Sequence, residues 1–180
     1  MGNLTVRDRS AGLFNYLLYA AFAFLVIQRA PTWLKQFKAT GTRLPDFSVS
    51  LLDGETYHSS ADHDARAIVF WATWCGPCTF ELGRIQRMID VGKIAPASVL
   101  AISSHEETTV LRKAVQERGY TFTVASDLDG DVVRKLEIQS TPTIILKSAN
   151  QTMDWITNGL SPTLELRLQR ALANKPRTSM

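Results

Sequence analysis

Residues 70–78 read FWATWCGPC and hold both cysteines of the chain, Cys75 and Cys78. Two thiols separated by two residues can form a redox pair, supply half of a metal site, or stand together by chance. The chemistry of each option differs. A redox pair needs one easily ionised thiol, because the thiolate is the nucleophile of disulfide exchange, and a second thiol within its reach. A structural zinc site needs four ligands. Of the three histidines, His58, His63 and His105, only His58 and His63 stand at a ligand-like spacing, and all three fall in loop-like stretches. The redox pair is the reading the residue types favour.

Such a pair has to be positioned by its neighbours. Ala67–Ala72 is continuously apolar, as a strand covered on both faces would be. From Cys78 onward, Leu82, Ile85, Met88 and Ile89 recur at helical steps, which predicts an amphipathic helix. The helix opens near Cys75, where unpaired backbone N–H groups and the helix dipole favour a thiolate. Cys78 follows one turn later on the covered side, so Cys75 is the attacking thiol and Cys78 the resolving one. Pro77 suits a first helical turn, and Gly76 leaves room for a partner backbone. Glu81 falls one turn beyond Cys78. A carboxylate there would raise a thiol pKa and can relay a proton, although the spacing alone fits a solvated helix residue equally well. Trp71 reads as core, and Trp74 as the wall of a peptide groove.

The rest of the chain supplies an α/β framework. Phe47–Leu52 alternates and ends in Asp53-Gly54, a strand and turn, and Ser98–Ile102 is another apolar strand. Ser104 with Glu107 forms a capping-box pattern, opening a helix that buries Val110, Leu111, Ala114 and Val115. Thr121–Ala125 predicts a short strand and Asp129–Leu136 a short helix. The acidic stretch Asp127–Asp131 reads as a turn and helix cap, since the glycine and twelfth-position ligand of a calcium loop are out of place. Thr143–Leu146 and Thr152–Ile156 read as adjacent strands in an antiparallel edge hairpin. Ser161-Pro162 opens a last helix with Leu164, Leu168, Ala171 and Leu172 on one face. Strands alternating with helices predict a mainly parallel sheet.

The composition, 45% hydrophobic and 21% charged over 180 residues, is that of a globular chain. A net charge of +3 without a basic run gives no nucleic-acid footprint. Ala11–Ile27 is uncharged, at the lower limit of the ~17–25 residues that span a bilayer. No small-residue cleavage site follows it, so an uncleaved anchor is expected over 11–28. The remaining divisions are an N-terminal tail 1–10, a linker 29–43, a domain 44–174 and a tail 175–180. Arg7 and Arg9 precede the span, whereas Arg29, Lys35 and Lys38 follow it, so flanking charge by itself places the domain inside by a margin of one residue.

Taken together, FWATWCGPC after an apolar strand, LPDFSVSLLDGE ahead of it, Glu81, and DLDGDVVRKLEIQSTPT resemble the thioredoxin superfamily. More narrowly, the chain is similar to the membrane-anchored TlpA/ResA/CcmG group of thiol-disulfide oxidoreductases. The resemblance covers about Leu44 to Ala173. It implies a thioredoxin-like fold with a central mixed sheet, and a cis bond before Pro142 that sets Thr141-Pro142 opposite the cysteines. Val69, where thioredoxins carry a buried acid, agrees with that group, whereas Leu82-Gly83 departs from its usual Glu-x-Pro. The implied activity is reduction of disulfides in client proteins without a cofactor beyond the dithiol, with Trp74, Gly76, Pro77, Thr141 and Pro142 binding the client. Re-reduction would come from a DsbD/CcdA-like membrane donor, with the domain in the periplasm and the anchor in the inner membrane. Two other readings share these residues. One is a copper-handling protein holding Cu(I) at Cys75 and Cys78, although only an unmatched His105 is on offer as a further ligand. The other is a thiol oxidase of the same fold.

Overall fold

The computed structural model describes residues 15–25 and 40–172, in two units divided between Lys38 and Ala39. In the first unit residues 15–25 form helix α1, with Tyr16, Tyr19, Phe22 and Leu25 exposed. The anchor expected over 11–28 lies partly outside the described residues. Among the described residues no helix is long and apolar enough to cross a membrane.

The second unit carries seven strands: β1 (Ser48–Leu51), β2 (Thr56–His58), β3 (Arg66–Trp71), β4 (Val99–Ser104), β5 (Thr123–Asp127), β6 (Thr143–Lys147) and β7 (Met153–Asn158). Its helices are α2 (Gly76–Asp90), α3 (Thr108–Arg118), α4 (Asp131–Lys135) and α5 (Leu164–Leu172). The strands form one sheet in the order β2-β1-β5-β4-β3-β6-β7. Only β3–β4 and β4–β5 pair in parallel; β1–β2, β1–β5, β3–β6 and β6–β7 are antiparallel. The mixed sheet implied by the resemblance is present, and the mainly parallel sheet read from alternation is not. Helices α2 and α3 are long enough to carry the chain back for a parallel neighbour. Helix α4, five residues long, is not, and β6 runs antiparallel to β3.

Strand β3 lies inside the sheet, buried on both faces. Ala67, Val69 and Trp71 meet Leu82 and Ile85 of α2, Leu111 of α3, and Leu164 and Leu168 of α5. Ile68 and Phe70 meet Leu44, Phe47, Val132 and Ile145 on the other side. Each of the larger side chains contributes about 1.5–3 kcal/mol on burial, so the unbroken apolar run anchors the strand that delivers the cysteines. The antiparallel β6–β7 hairpin is present as expected. Residues 41–44 also join the folded unit: Gly41 donates to the Met153 carbonyl at 2.8 Å and Leu44 to that of Gln151 at 2.7 Å.

Three local expectations give way. Ser104 does not cap a helix; it ends β4, and its hydroxyl donates to Asp127 Oδ2 at 2.9 Å. Helix α3 starts at Thr108 instead, which turns Val110 outward (48% exposed) while Leu111 and Ala114 stay buried. Helix α5 starts at Leu164 rather than just after Ser161: Pro162 and Thr163 form a turn in which the Ser161 carbonyl accepts the Leu164 N–H at 3.2 Å; Leu164 and Leu168 are buried and Ala171 is exposed. Strand β2, three residues of mixed polarity, has no period to read. The acidic stretch does cap a helix: Asp127 accepts from Val132 N–H and Val133 N–H, each at 3.1 Å, at the start of α4.

Candidate active site

Cys75 is the N-cap of α2, with extended backbone (φ −86°, ψ 104°), and its Sγ accepts the Cys78 N–H at 3.2 Å. The two cysteines form a disulfide with an S–S distance of 2.06 Å. Cys75 retains 6% exposure and Cys78 none, the order that an attacking Cys75 and a resolving Cys78 would require. Pro77 occupies the first helical turn and supplies no N–H, which limits the donors aimed at Cys75. Around this closed pair the surface is open. Trp74 is 79% exposed, Gly76 and Pro77 are exposed, and nothing lies within 4 Å of the point where a Gly76 side chain would begin.

The Thr141-Pro142 bond is cis. Because β3 and β6 are antiparallel with Phe70 opposite Thr143, Pro142 emerges at the end of the sheet where residues 72–75 leave β3. Pro142 is buried and Thr141 partly so; the Pro142 carbonyl accepts the Gly159 N–H at 2.7 Å. The fold therefore brings the predicted client-binding residues Trp74, Gly76, Pro77, Thr141 and Pro142 to one end of the sheet, beside the disulfide.

Glu81 is fully buried, not a solvated helix residue. Its Oε1 accepts the Ser161 N–H at 2.5 Å and its Oε2 pairs with Arg84 Nη1 at 3.0 Å. Arg84 also donates to the Ser161 carbonyl at 2.7 Å and to Glu165 at 3.1 Å. The carboxylate thus joins α2 to the start of α5, one helical turn from Cys78. Gly83 continues the helix without interruption where a proline would have bent it. His105 Nδ1 lies 3.2 Å from the Leu128 carbonyl. Among the described residues no group of three or more His, Cys, Asp or Glu stands close enough to hold a metal.

Sequence spacing missed three residues at this end of the sheet. Glu106 accepts the Thr73 N–H at 2.9 and 3.2 Å and the Thr73 hydroxyl, and Arg118 donates to the Thr73 carbonyl at 2.7 Å. Only the fold unites positions 33 and 45 residues apart.

The AhpC/TSA family profile matches residues 40–156, about two thirds of the chain. The chain belongs to the AhpC/TSA family. It is similar to the thiol-disulfide oxidoreductase ResA of Geobacillus kaustophilus, with 27% identity over 67% of this chain and 70% of that one. It is similar also to ResA of Geobacillus thermodenitrificans, with 27% identity over 79% of this chain and 82% of that one. A thiol:disulfide interchange protein from Chlorobium tepidum shares the fold, with a TM-score of 0.61 and 20% identity over 73% of this chain and 96% of that one. The thioredoxin-like resemblance read from the motifs is therefore borne out for family and fold.

Proposed function

We propose that this thiol-disulfide oxidoreductase reduces disulfides in periplasmic client proteins, including those of cytochrome c maturation or another extracytoplasmic redox pathway. Residues 11–28 would hold it at a bacterial inner membrane. The observation that carries the reading is the Cys75–Cys78 disulfide capping α2, with Cys75 the less buried of the pair and the cis Thr141-Pro142 bond at the same end of the sheet. The relatives named thiol-disulfide oxidoreductase support it.

In the working direction the pair starts reduced. The Cys75 thiolate attacks one sulfur of a client disulfide, the client S–S bond breaks, and one client thiolate leaves. Cys78 then loses its proton and attacks Cys75 Sγ. The mixed disulfide breaks, the second client thiolate leaves, and the Cys75–Cys78 disulfide forms. Two electrons pass to the client, with two protons taken up by its thiols. Glu81, one turn from Cys78, accepts the proton that Cys78 gives up. A membrane donor of the DsbD/CcdA kind then returns two electrons and two protons to the pair. Trp74 and the Gly76-Pro77 surface form one side of the client groove, and Thr141 pairs with the client backbone on the other. The Gly-Pro dipeptide favours the reducing direction: Pro77 offers no N–H to a Cys75 thiolate. Among the described residues no Lys, Arg or His side chain hydrogen-bonds either sulfur, so the reduced form lacks the strong stabilisation of an oxidant.

The test is substitution of each cysteine in cells. Cys78→Ser is expected to accumulate adducts joined through Cys75 that collapse on reducing gels, and Cys75→Ser to accumulate none and to be inactive. Absence of adducts with Cys78→Ser would remove the reductase reading. For placement, a membrane-impermeant thiol reagent should label Cys75 in intact cells after mild reduction; labelling only after lysis would put the domain in the cytoplasm.

A further inference from the structure

Among the described residues the Cys75 sulfur is held by Cys78 alone, and its direction is inherited from the segment that leads into it. Residues 72–75 join the end of β3 to α2, and one residue of that segment, Thr73, has every polar backbone atom held by a distant side chain. Its N–H donates to both oxygens of the Glu106 carboxylate, at 2.9 and 3.2 Å, and its hydroxyl donates to Oε1. Its carbonyl accepts from Arg118 Nη2 at 2.7 Å. Both holders are themselves fixed. Ser103 Oγ donates to Glu106 Oε2, and Ser103 is the β4 residue registered opposite Trp71 on β3. The Arg118 guanidinium lies 5.8 Å above the ring of Trp71, a side chain only 1% exposed. Two residues on, the Cys75 N–H donates to the Ala72 carbonyl at 3.2 Å, so the turn closes around the clamped residue.

We propose that Glu106 and Arg118 are positioning residues for the disulfide exchange, a clamp of opposite charges that acts through Thr73 to aim Cys75 Sγ. A carboxylate fits the N–H side because it takes several donors at once, and a guanidinium fits the carbonyl side because it donates while its charge lies over an indole face. Thiol–disulfide exchange needs the attacking sulfur in line with the bond it breaks, so a small rotation of residues 73–75 costs rate without unfolding anything. The clamp rests on Cys75 being the attacking sulfur. Glu106 touches neither sulfur in this role: what matters is its acceptor geometry, not its charge.

That distinction decides the experiment. Full-length protein in detergent is reduced, and its second-order rate with a small aromatic disulfide and with insulin is measured for Glu106→Ala, Glu106→Gln, Arg118→Met and the double variant Glu106→Ala/Arg118→Met. Thermal midpoints are recorded alongside. Glu106→Ala and Arg118→Met should each slow exchange about 10-fold with both oxidants. Glu106→Gln should stay within about 3-fold of the wild type, because an amide oxygen in the place of Oε2 still accepts from Thr73 N–H and Ser103 Oγ, while the amide nitrogen in the place of Oε1 donates to the Thr73 hydroxyl. The double variant should be slower than either single one by less than the product of their effects, since both act through one residue. Exchange within twofold of wild type in Arg118→Met, a partly exposed position, overturns the clamp even if Glu106→Ala fails to fold. Equal slowing by Glu106→Gln and Glu106→Ala overturns it too, by making charge the operative property. A wild-type protein that reduces neither oxidant fails the oxidoreductase reading itself, and the clamp falls with it.

Discussion

Replacing Glu81 by glutamine and by alanine separates what the carboxylate does for the fold from what it does for the dithiol. The side chain is wholly buried, with Ser161 N–H at 2.5 Å on one oxygen and Arg84 at 3.0 Å on the other. Alanine removes a charged acceptor from a buried backbone N–H, at about 1.5–3 kcal/mol. It also strips the buried partner from Arg84, whose side chain is 13% exposed. Arg84 keeps Glu165, but that residue is 49% exposed and its pairing contributes about 0–1 kcal/mol. The sum for Glu81→Ala is about 3 kcal/mol, or a fall of about 12 °C in Tm for a domain of this size. Glutamine keeps the oxygen that serves Ser161 but turns a donating NH2 toward Arg84 in place of the accepting oxygen, about 1.5 kcal/mol and about 6 °C. Proton transfer ranks the variants differently, because glutamine cannot take the Cys78 proton. Resolution of a preformed Cys75 mixed disulfide should slow by about 10²-fold in Glu81→Gln, although it loses less stability than Glu81→Ala. Calorimetry and stopped-flow release of an aromatic thiol measure the two quantities. A Glu81→Gln protein that resolves at the wild-type rate would refute the proton role, and a Glu81→Ala protein of wild-type stability would refute the network.

Two further expectations concern stability away from the cysteines. Burial pushes the Asp62 carboxyl up, but hydrogen bonds from Arg66 and Tyr57 outweigh it and hold the group below its ordinary range. A depressed folded pKa gives stability that is complete above the unfolded value, ~pH 4, and is lost as pH falls through the folded value. Urea midpoints should therefore show Asp62→Asn well below wild type at pH 7 and the two converging in acid; a gap independent of pH would contradict this. Asp127, 5% exposed, accepts from Val132, Val133 and Ser104, so Asp127→Ala should cost about 2 kcal/mol, and Asp127→Asn less, by urea unfolding. Disulfide exchange should be unchanged in both, and a loss of exchange would tie α4 to the active site.

What could be read in the sequence was whatever local period and local chemistry determine. The apolar run of β3, the buried stripe Leu82, Ile85 and Met88 of α2, and Cys75 at a helix start all follow from neighbours within one or two turns. What escaped depends on contacts across the fold. Spacing left Glu81 open between a solvated residue and a carboxylate beside the dithiol, because the Ser161 amide that makes it a buried acceptor lies 80 residues away. Ser104 and Glu107 matched a capping box, but Asp127 competes for the serine from 23 residues away. Thr73, Glu106 and Arg118 carry no motif at all. Sheet direction was misjudged because alternation counts helices without asking whether each, like the five residues of α4, can return the chain.

The redox equilibrium of Cys75–Cys78 against glutathione tests the central claim most directly. Full-length protein is equilibrated across ratios of reduced to oxidised glutathione, quenched in acid and alkylated, and the dithiol fraction is read by mass. A reductase should titrate near the thioredoxin value, about −270 mV. A midpoint near the strongly oxidising periplasmic enzymes, about −120 mV, would contradict the account and make the protein an oxidant of client thiols.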